Sequence, residues 1–407
     1  MFNSRRFALF SLSIVLLQTS CSTQRTIQHM LRKDAVHFAD TSLAFAYKQY
    51  QYFTRQVPDE AFPRSLDKNG SLVTSNSEWW CSGFYPGTLI LLQEDTKATV
   101  LQAEIKEKLN LLEKEKFNRS THDLGFMMYC SFGNLNRVAP DSALKNILIQ
   151  SAKSLSTRFS QVTKSIRSWD SQNKKEFIVI IDNMMNLDLL FYATRATGDS
   201  SFYNLAVTHA NTTMANHFRP DNSSYHLVIY DSENGSILNK KTAQGANDSS
   251  AWARGQAWGL YGFTSAYRNT KDNKYLVMAE KIAAYLLEQP NRNADGIPYW
   301  DYNAPGIPNA RRDASAGAIM ASALMELATF CPENASKHVE EASLILTSLS
   351  GPAYRSAFGE NHGFILKHGV GHLPANSEVD VPLSYADYYY VEGLMRYKRL
   401  ALTGRIY

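Results

Sequence analysis

Apolar residues recur at three- and four-residue spacing along most of the chain, and this spacing predicts helices. It is clearest in ATVLQAEIKEKLNLLEKEK (98–116), SALKNILIQSAKSLSTRF (142–159), YLVMAEKIAAYLLEQ (275–289) and ASAGAIMASALMELATF (314–330), where good helix formers fill the polar positions. Strand-like alternation is scarce. YHLVIYD (225–231) is the best short example, and the turn-like Glu233-Asn234-Gly235 follows it. The chain therefore reads as mainly helical.

Two segments share one pattern. Thr197-Gly198-Asp199 is followed by Phe202, Ala206 and Ala210, and Thr270-Lys271-Asp272 by Tyr275, Ala279 and Ala283, at the same offsets. Each reads as a loop whose Asp caps a helix with small residues on its packing face. A closed ring of helical hairpins would use such units. Loops with Pro and Gly at 289–311 and 361–382 are long enough to form a site.

Composition agrees with a large folded core: 407 residues, 44% hydrophobic and 12% aromatic. The formal charge of +4 is too balanced to point to a nucleic acid or a membrane surface as partner. At the start, MFNSRRFALFSLSIVLLQTSC has basic Arg5 and Arg6, then an apolar run too short to cross a bilayer, then small polar residues. That is the shape of a secretory signal peptide over 1–20. Cys21 after Thr19-Ser20 resembles a bacterial lipoprotein cleavage box, although Gln18 stands where leucine is usual. The expectation is one domain over 21–407, exported to the periplasm or outer membrane and held there only by a lipid on Cys21. Cys81, Cys130 and Cys331 are widely spaced and odd in number, so buried free thiols are expected rather than disulfides or a zinc site.

Aromatics and scattered carboxylates, without a metal or phosphate motif, suggest sugar handling without a cofactor. In FIVIIDNMMNLDLLFYATRATGD (177–199), Asp182 is an acid between an apolar run and an apolar helical segment, either an N-cap or a chemical group. In THDLGFMMY, Asp123 beside His122 has the same two readings. DSSAWARGQAWGLYGF places Trp252, Arg254 and Trp258 together, with Arg254 and Trp258 on one helical face; they are either core residues or a carboxylate-and-ring binding set. WWCSGFYPG (79–87) reads as a structural corner.

Taken in order, WWCSGFYPG, THDLGF, IIDNMMNL, SYHLVIYD, TAQG, SSAWARGQAWGLYGF, PYWDY, RRDASAGAIMASALMEL, KHGVGHLP and ADYYYVEGL resemble the unsaturated glucuronyl hydrolases, glycoside hydrolase family 88. The resemblance implies an (α/α)6 six-hairpin barrel. It also implies a substrate with a 4,5-unsaturated uronic acid at its non-reducing end, supplied by a polysaccharide lyase, and hydration of the enol ether rather than ordinary glycoside hydrolysis. It makes Asp182 the general acid/base and Asp123 the second acid. Trp80, His122, His226, Gln244, Trp252, Arg254, Trp258 and His372 become substrate-binding positions. Tyr85, where tryptophan is commoner, and Gly371, where some relatives have tyrosine, depart from the pattern and bear on the leaving sugar. The alternatives are an unsaturated rhamnogalacturonyl hydrolase, a non-catalytic sugar-binding lipoprotein and an inverting hydrolase.

Overall fold

The computed structural model describes Leu31 and residues 34–406, so the expected leader and Cys21 lie outside the described residues. Helices come in pairs. The first member of each pair is half-exposed: α1 (Ala35–Phe53), α3 (Gln102–Leu112), α5 (Ser142–Ser156), α7 (Ser200–Asn216), α9 (Asn273–Leu287) and α11 (Ala335–Leu349). The second member lies inside: α2 (Phe84–Thr96), a π-helix (Gly125–Gly133) continued by α4 (Asn134–Val138), α6 (Asn183–Thr197), α8 (Ala253–Thr270), α10 (Ala314–Ala328) and α12 (Ser384–Thr403). Each inner helix packs on the next, and α12 returns to α2, closing the ring. This is the six-hairpin (α/α)6 barrel expected above.

The sequence explains which helix goes where. Every residue of α10 is buried, as Ala, Gly, Ser, Met and Leu on all sides allow. In α9 only one stripe, including Tyr275, Ala279, Ile282 and Ala283, is buried. Glycine sets two of the closest contacts in the ring. A Cβ on Gly83 would lie 2.1 Å from the Met127 carbonyl oxygen, and one on Gly262 would lie 2.4 Å from Met184 Cβ. The repeated Asp caps are present: Asp199 accepts from Ser201 N at 2.8 Å and Asp272 from Lys274 N at 3.2 Å.

The sheets are small. β1 (Phe62–Leu66) pairs with β2 (Leu72–Ser75), and β3 (Phe159–Ser160) with β4 (Ser165–Ile166). β5 (Glu176–Ile180), β6 (Leu227–Asp231) and β7 (Ile237–Lys241) form an antiparallel sheet, so the apolar run before Asp182 is a strand and YHLVIYD supplies its centre. The loop expected at 361–382 contains the hairpin β8 (Gly369–His372) and β9 (Ser377–Val381). Cys81, Cys130 and Cys331 are free thiols; Cys130 is half-buried rather than buried.

All six inner helices run in the same direction, so their N-terminal ends converge on one end of the barrel. Trp80 precedes α2, Asp123 precedes the π-helix, Asp182 enters α6, and Trp252 and Arg254 open α8. At the other end, an ion-pair network joins four inner helices. Arg268 of α8 bonds Asp188 of α6 and Glu326 of α10, and Glu326 also meets Arg396 of α12 at 3.1 Å.

Candidate active site

Asp182 stands at the N-cap position of α6, yet its side chain makes no capping bond. The capping explanation for this acid therefore fails. Its carboxyl is 8% exposed, beside Ile181 and Trp258, both fully buried, and Oδ2 has no hydrogen-bond partner. Loss of water first, with the charge of Asp123 added to it, pushes its pKa up to about 7. The Arg254 guanidinium and the indole N–H of Trp258 pull the other way without prevailing. That indole N–H is close enough to act on the carboxyl but meets no acceptor with full hydrogen-bond geometry.

Asp123 is not a cap either. Its carboxylate accepts from Thr121 Oγ1 at 2.7 Å and lies 3.2 Å from His122 Nε2. The start of the π-helix is capped instead from α6, by Asn186 Oδ1 accepting from Phe126 N at 3.0 Å. His122 is buried, and burial holds its pKa below the usual value, so it acts as a neutral partner that orients Asp123.

His226 lies just before β6 and faces Asp182. Its Nδ1 accepts from the backbone N–H groups of Ala243 and Gln244 at 3.1 and 3.3 Å, which puts the ring hydrogen on Nε2. Nε2 points at Asp182 Oδ2 from 3.9 Å, too far for a hydrogen bond, and both atoms are unpartnered. Burial first, and then the charge of Arg254, hold His226 well below its usual pKa, so it stays a neutral donor. Trp252 backs this ring, with centroids 4.5 Å apart. The two unsatisfied polar groups thus face each other across a gap that a third molecule can bridge.

Arg254 departs from the carboxylate-binding role that its motif implies. It is 1% exposed; Nη1 donates to Val370 O at 2.5 Å and lies 3.3 Å from Asp313 Oδ2, while Nη2 donates to Gly371 O at 2.7 Å. Its plane lies 4.3 Å over the Trp252 ring. Only Nε is left without a partner. Arg254 therefore holds β8 in place and adds a positive field beside Asp182. Gln244 grips the same strand, donating from Nε2 to Gly371 O at 2.9 Å. His372 at the end of β8 is half-buried; its Nδ1 accepts from Ala375 N at 3.2 Å.

The aromatic wall is continuous. Trp80 packs on Phe84, Phe126 and Tyr385 at 5.7, 5.5 and 4.9 Å, and Trp258 packs on Phe126 and Tyr389 at 5.0 and 5.3 Å. WWCSGFYPG is thus both a corner and part of this wall. Tyr85 does not face the site: it is fully buried against Tyr50 and Phe53 and donates to Glu104 at 3.0 Å. Gly371 does, and a Cβ there would lie 2.5 Å from Glu378 Oε2.

The sequence reading did not single out two residues. Asp313 is fully buried, caps α10 through Ser315 N at 3.0 Å and neutralises Arg254. Tyr385 is buried with its hydroxyl unpartnered, and Arg254 lies 5.3 Å over its ring. Both lie in or beside the RRDASAG and ADYYYVEGL blocks, and Asp two residues before Ser at a helix start was a readable cap signal.

No protein-family model matches the chain. Among relatives, an unsaturated glucuronyl hydrolase of Formosa agariphila is 45% identical over 344 residues, covering 84% of this chain and 86% of the relative. A Bacillus unsaturated glucuronyl hydrolase is 32% identical, covering 86% and 93%. The crystal structure of an unsaturated glucuronyl hydrolase specific for heparin superposes with a TM-score of 0.86 at 43% identity, covering 89% of this chain and 97% of that one. With identity at this level along nearly the whole barrel, the chain belongs to the unsaturated glucuronyl hydrolases, the enzymes of glycoside hydrolase family 88.

Proposed function

We propose that this enzyme removes a 4,5-unsaturated uronate from lyase-generated glycosaminoglycan oligosaccharides, with Asp182 as the proton donor. One observation carries the assignment of Asp182: a buried carboxyl, its Oδ2 unbonded, whose pKa is pushed up to about 7. Protonating carbon requires an acid still protonated near neutrality, and an apolar surround provides one. Asp182 gives its proton to C4 of the enol ether, and positive charge develops at C5. Water adds to C5 and returns a proton to Asp182. The resulting hemiketal opens, releasing the saturated sugar.

Asp123, held by Thr121 and His122, orients the substrate and stabilises the cation at C5. His226, its hydrogen on Nε2, donates to a hydroxyl of the unsaturated ring. Trp80, Trp252 and Trp258 exclude water, and Gln244 and Arg254 hold β8 so that His372 lines the mouth. The glycosaminoglycan assignment rests on likeness to the heparin-specific enzyme. A panel of lyase-generated disaccharides differing only in linkage and sulfate tests it.

Incubation with a lyase digest should erase the ultraviolet band of the enol ether. Binding without loss of that band would instead make the protein a sugar-binding lipoprotein, and cleavage of saturated glycosides would make it an inverting hydrolase. The same proposal places the enzyme outside the cytoplasm, anchored through Cys21 after removal of 1–20 and supplied by a polysaccharide lyase. Labelled fatty acid should enter the wild type and be absent from Cys21→Ser.

A further inference from the structure

A second cavity, of about 440 Å³, lies away from the acids. Its lining includes Tyr192 and Arg195 from the last turns of α6 and Arg268 from the last turn of α8, so it opens at the opposite end of the barrel. One aromatic layer separates it from the catalytic end. Tyr389 touches Trp258 at 5.3 Å on one side and Tyr261, which lines the cavity, at 5.6 Å on the other.

The walls have the chemistry of a carbohydrate pocket: ring faces beside fixed donors and acceptors. Tyr129 and Tyr192 lie with centroids 5.8 Å apart. Tyr129 belongs to the π-helix, a local geometry frequent at functional sites, and its ring rests on Gly133, where a Cβ would come within 2.7 Å. Asn136 Nδ2 donates to the Tyr192 hydroxyl at 3.0 Å, fixing that ring.

Charge selects the ligand class. Asp188 is held by Asn269 Nδ2 at 2.7 Å and by Arg268, and Glu392 accepts from the Tyr261 hydroxyl at 2.9 Å and Ser322 Oγ at 2.5 Å. Arg137 is clamped on Glu94 at 2.9 and 2.7 Å. Arg195 donates to the amide oxygen of Asn269 and forms no ion pair with a carboxylate among the described residues. The last turns of α6 and α8 form part of this wall, and their C-terminal ends present partial negative charge, which disfavours an anion. Donors on Arg195 and Asn136, bound acids and tyrosine faces suit hydroxyl groups instead. We propose that this rear cavity is a second, non-catalytic site for a neutral mono- or disaccharide.

Calorimetric titration of the intact protein with N-acetylglucosamine, glucose and glucuronate tests this, in the wild type and in Trp252→Ala, Arg195→Ala and Tyr192→Ala. The neutral sugars should bind the wild type and Trp252→Ala equally, and about tenfold or more weakly to either rear variant. Turnover of a lyase-generated disaccharide should be unchanged in Arg195→Ala and Tyr192→Ala. The sugar-dependent rise in Tm, taken against each variant's own ligand-free Tm, separates loss of the site from loss of folding. The proposal is overturned by absence of binding at millimolar sugar, by loss of binding in Trp252→Ala, by indifference to both rear substitutions, or by preference for glucuronate in Trp252→Ala.

Discussion

Asp182 combines three properties seldom found together: an acid, an apolar setting and a polar atom with nothing to bond. Its ionised form is the one destabilised by burial, and this predicts both its chemistry and its pH dependence. Asp182→Asn should lower kcat by about 10²–10⁴-fold with little change in substrate binding; retention of most activity would falsify the role. In the wild type, kcat should fall as pH rises through about 7, where the proton is lost.

The stability consequence has the opposite sense to that of a salt-bridged carboxylate. A group with a pKa of about 7 when folded and ~3.9 when unfolded binds more protons in the folded state, so it lowers stability as pH rises between those values. The cost is fully present above about pH 7. Asp182→Asn should therefore melt higher than the wild type above pH 7, with the difference vanishing toward pH 4; parallel melting curves across that range would count against the raised pKa. The acid and its apolar flanks were legible in FIVIIDNMMNL. That its Oδ2 lacks a partner was not, because the donor that faces it at 3.9 Å, His226, comes from a segment 44 positions on.

Among the elements, β8 is the part of the site held from the most directions. Arg254 from α8 donates to the carbonyls of Val370 and Gly371, Gln244 from the loop after β7 donates to that of Gly371, and Asp313 at the start of α10 accepts from Val370 N. Removing Asp313 uncaps α10 and leaves the Arg254 charge buried without its counter-ion. Asp313→Ala should cost about 3–5 kcal/mol in denaturant unfolding. A loss under ~1 kcal/mol would show that the two backbone carbonyls suffice for Arg254.

Gly371 offers a test of the hairpin itself. A side chain at 371 collides with Glu378, whose Oε1 is held by Arg64 at 2.8 Å, so Gly371→Ala should displace β8 against β9. The expected result is a several-fold higher KM with a smaller change in kcat, measured on unsaturated disaccharides; an unchanged KM would remove β8 from the binding surface. The sequence marked 361–382 as a site-forming loop and placed His372 in it. It did not show that Arg254, whose motif suggests a substrate clamp, spends both Nη groups on that loop, since those contacts span 116 and 117 positions.

The barrel as a whole divides its labour between its two ends. The proposed catalytic groups, Asp182 and Asp123, lie where the inner helices begin, and the Asp188–Arg268–Glu326–Arg396 network ties the other end together. Glu326 is fully buried between two arginines. Glu326→Ala should cost about 3–5 kcal/mol of stability while leaving kcat near the wild-type value below the melting range. A large fall in kcat without a fall in stability would mean that the two ends are coupled.

The sequence by itself determined that the chain is mainly helical and that Asp199 and Asp272 cap helices, because periodicity and capping act within one segment. Ordered motifs identified the family and pointed to Asp182 and Asp123 as the candidate acids. Only the tertiary structure decided that Asp182 leaves Oδ2 unbonded and caps nothing, that Arg254 braces a strand, that Tyr85 turns away from the site and that a cavity opens at the rear. Each of these depends on which atoms from distant segments meet, and on which meet nothing. Burial and hydrogen-bond partnership are set by the closing of the ring, not by any one stretch of it.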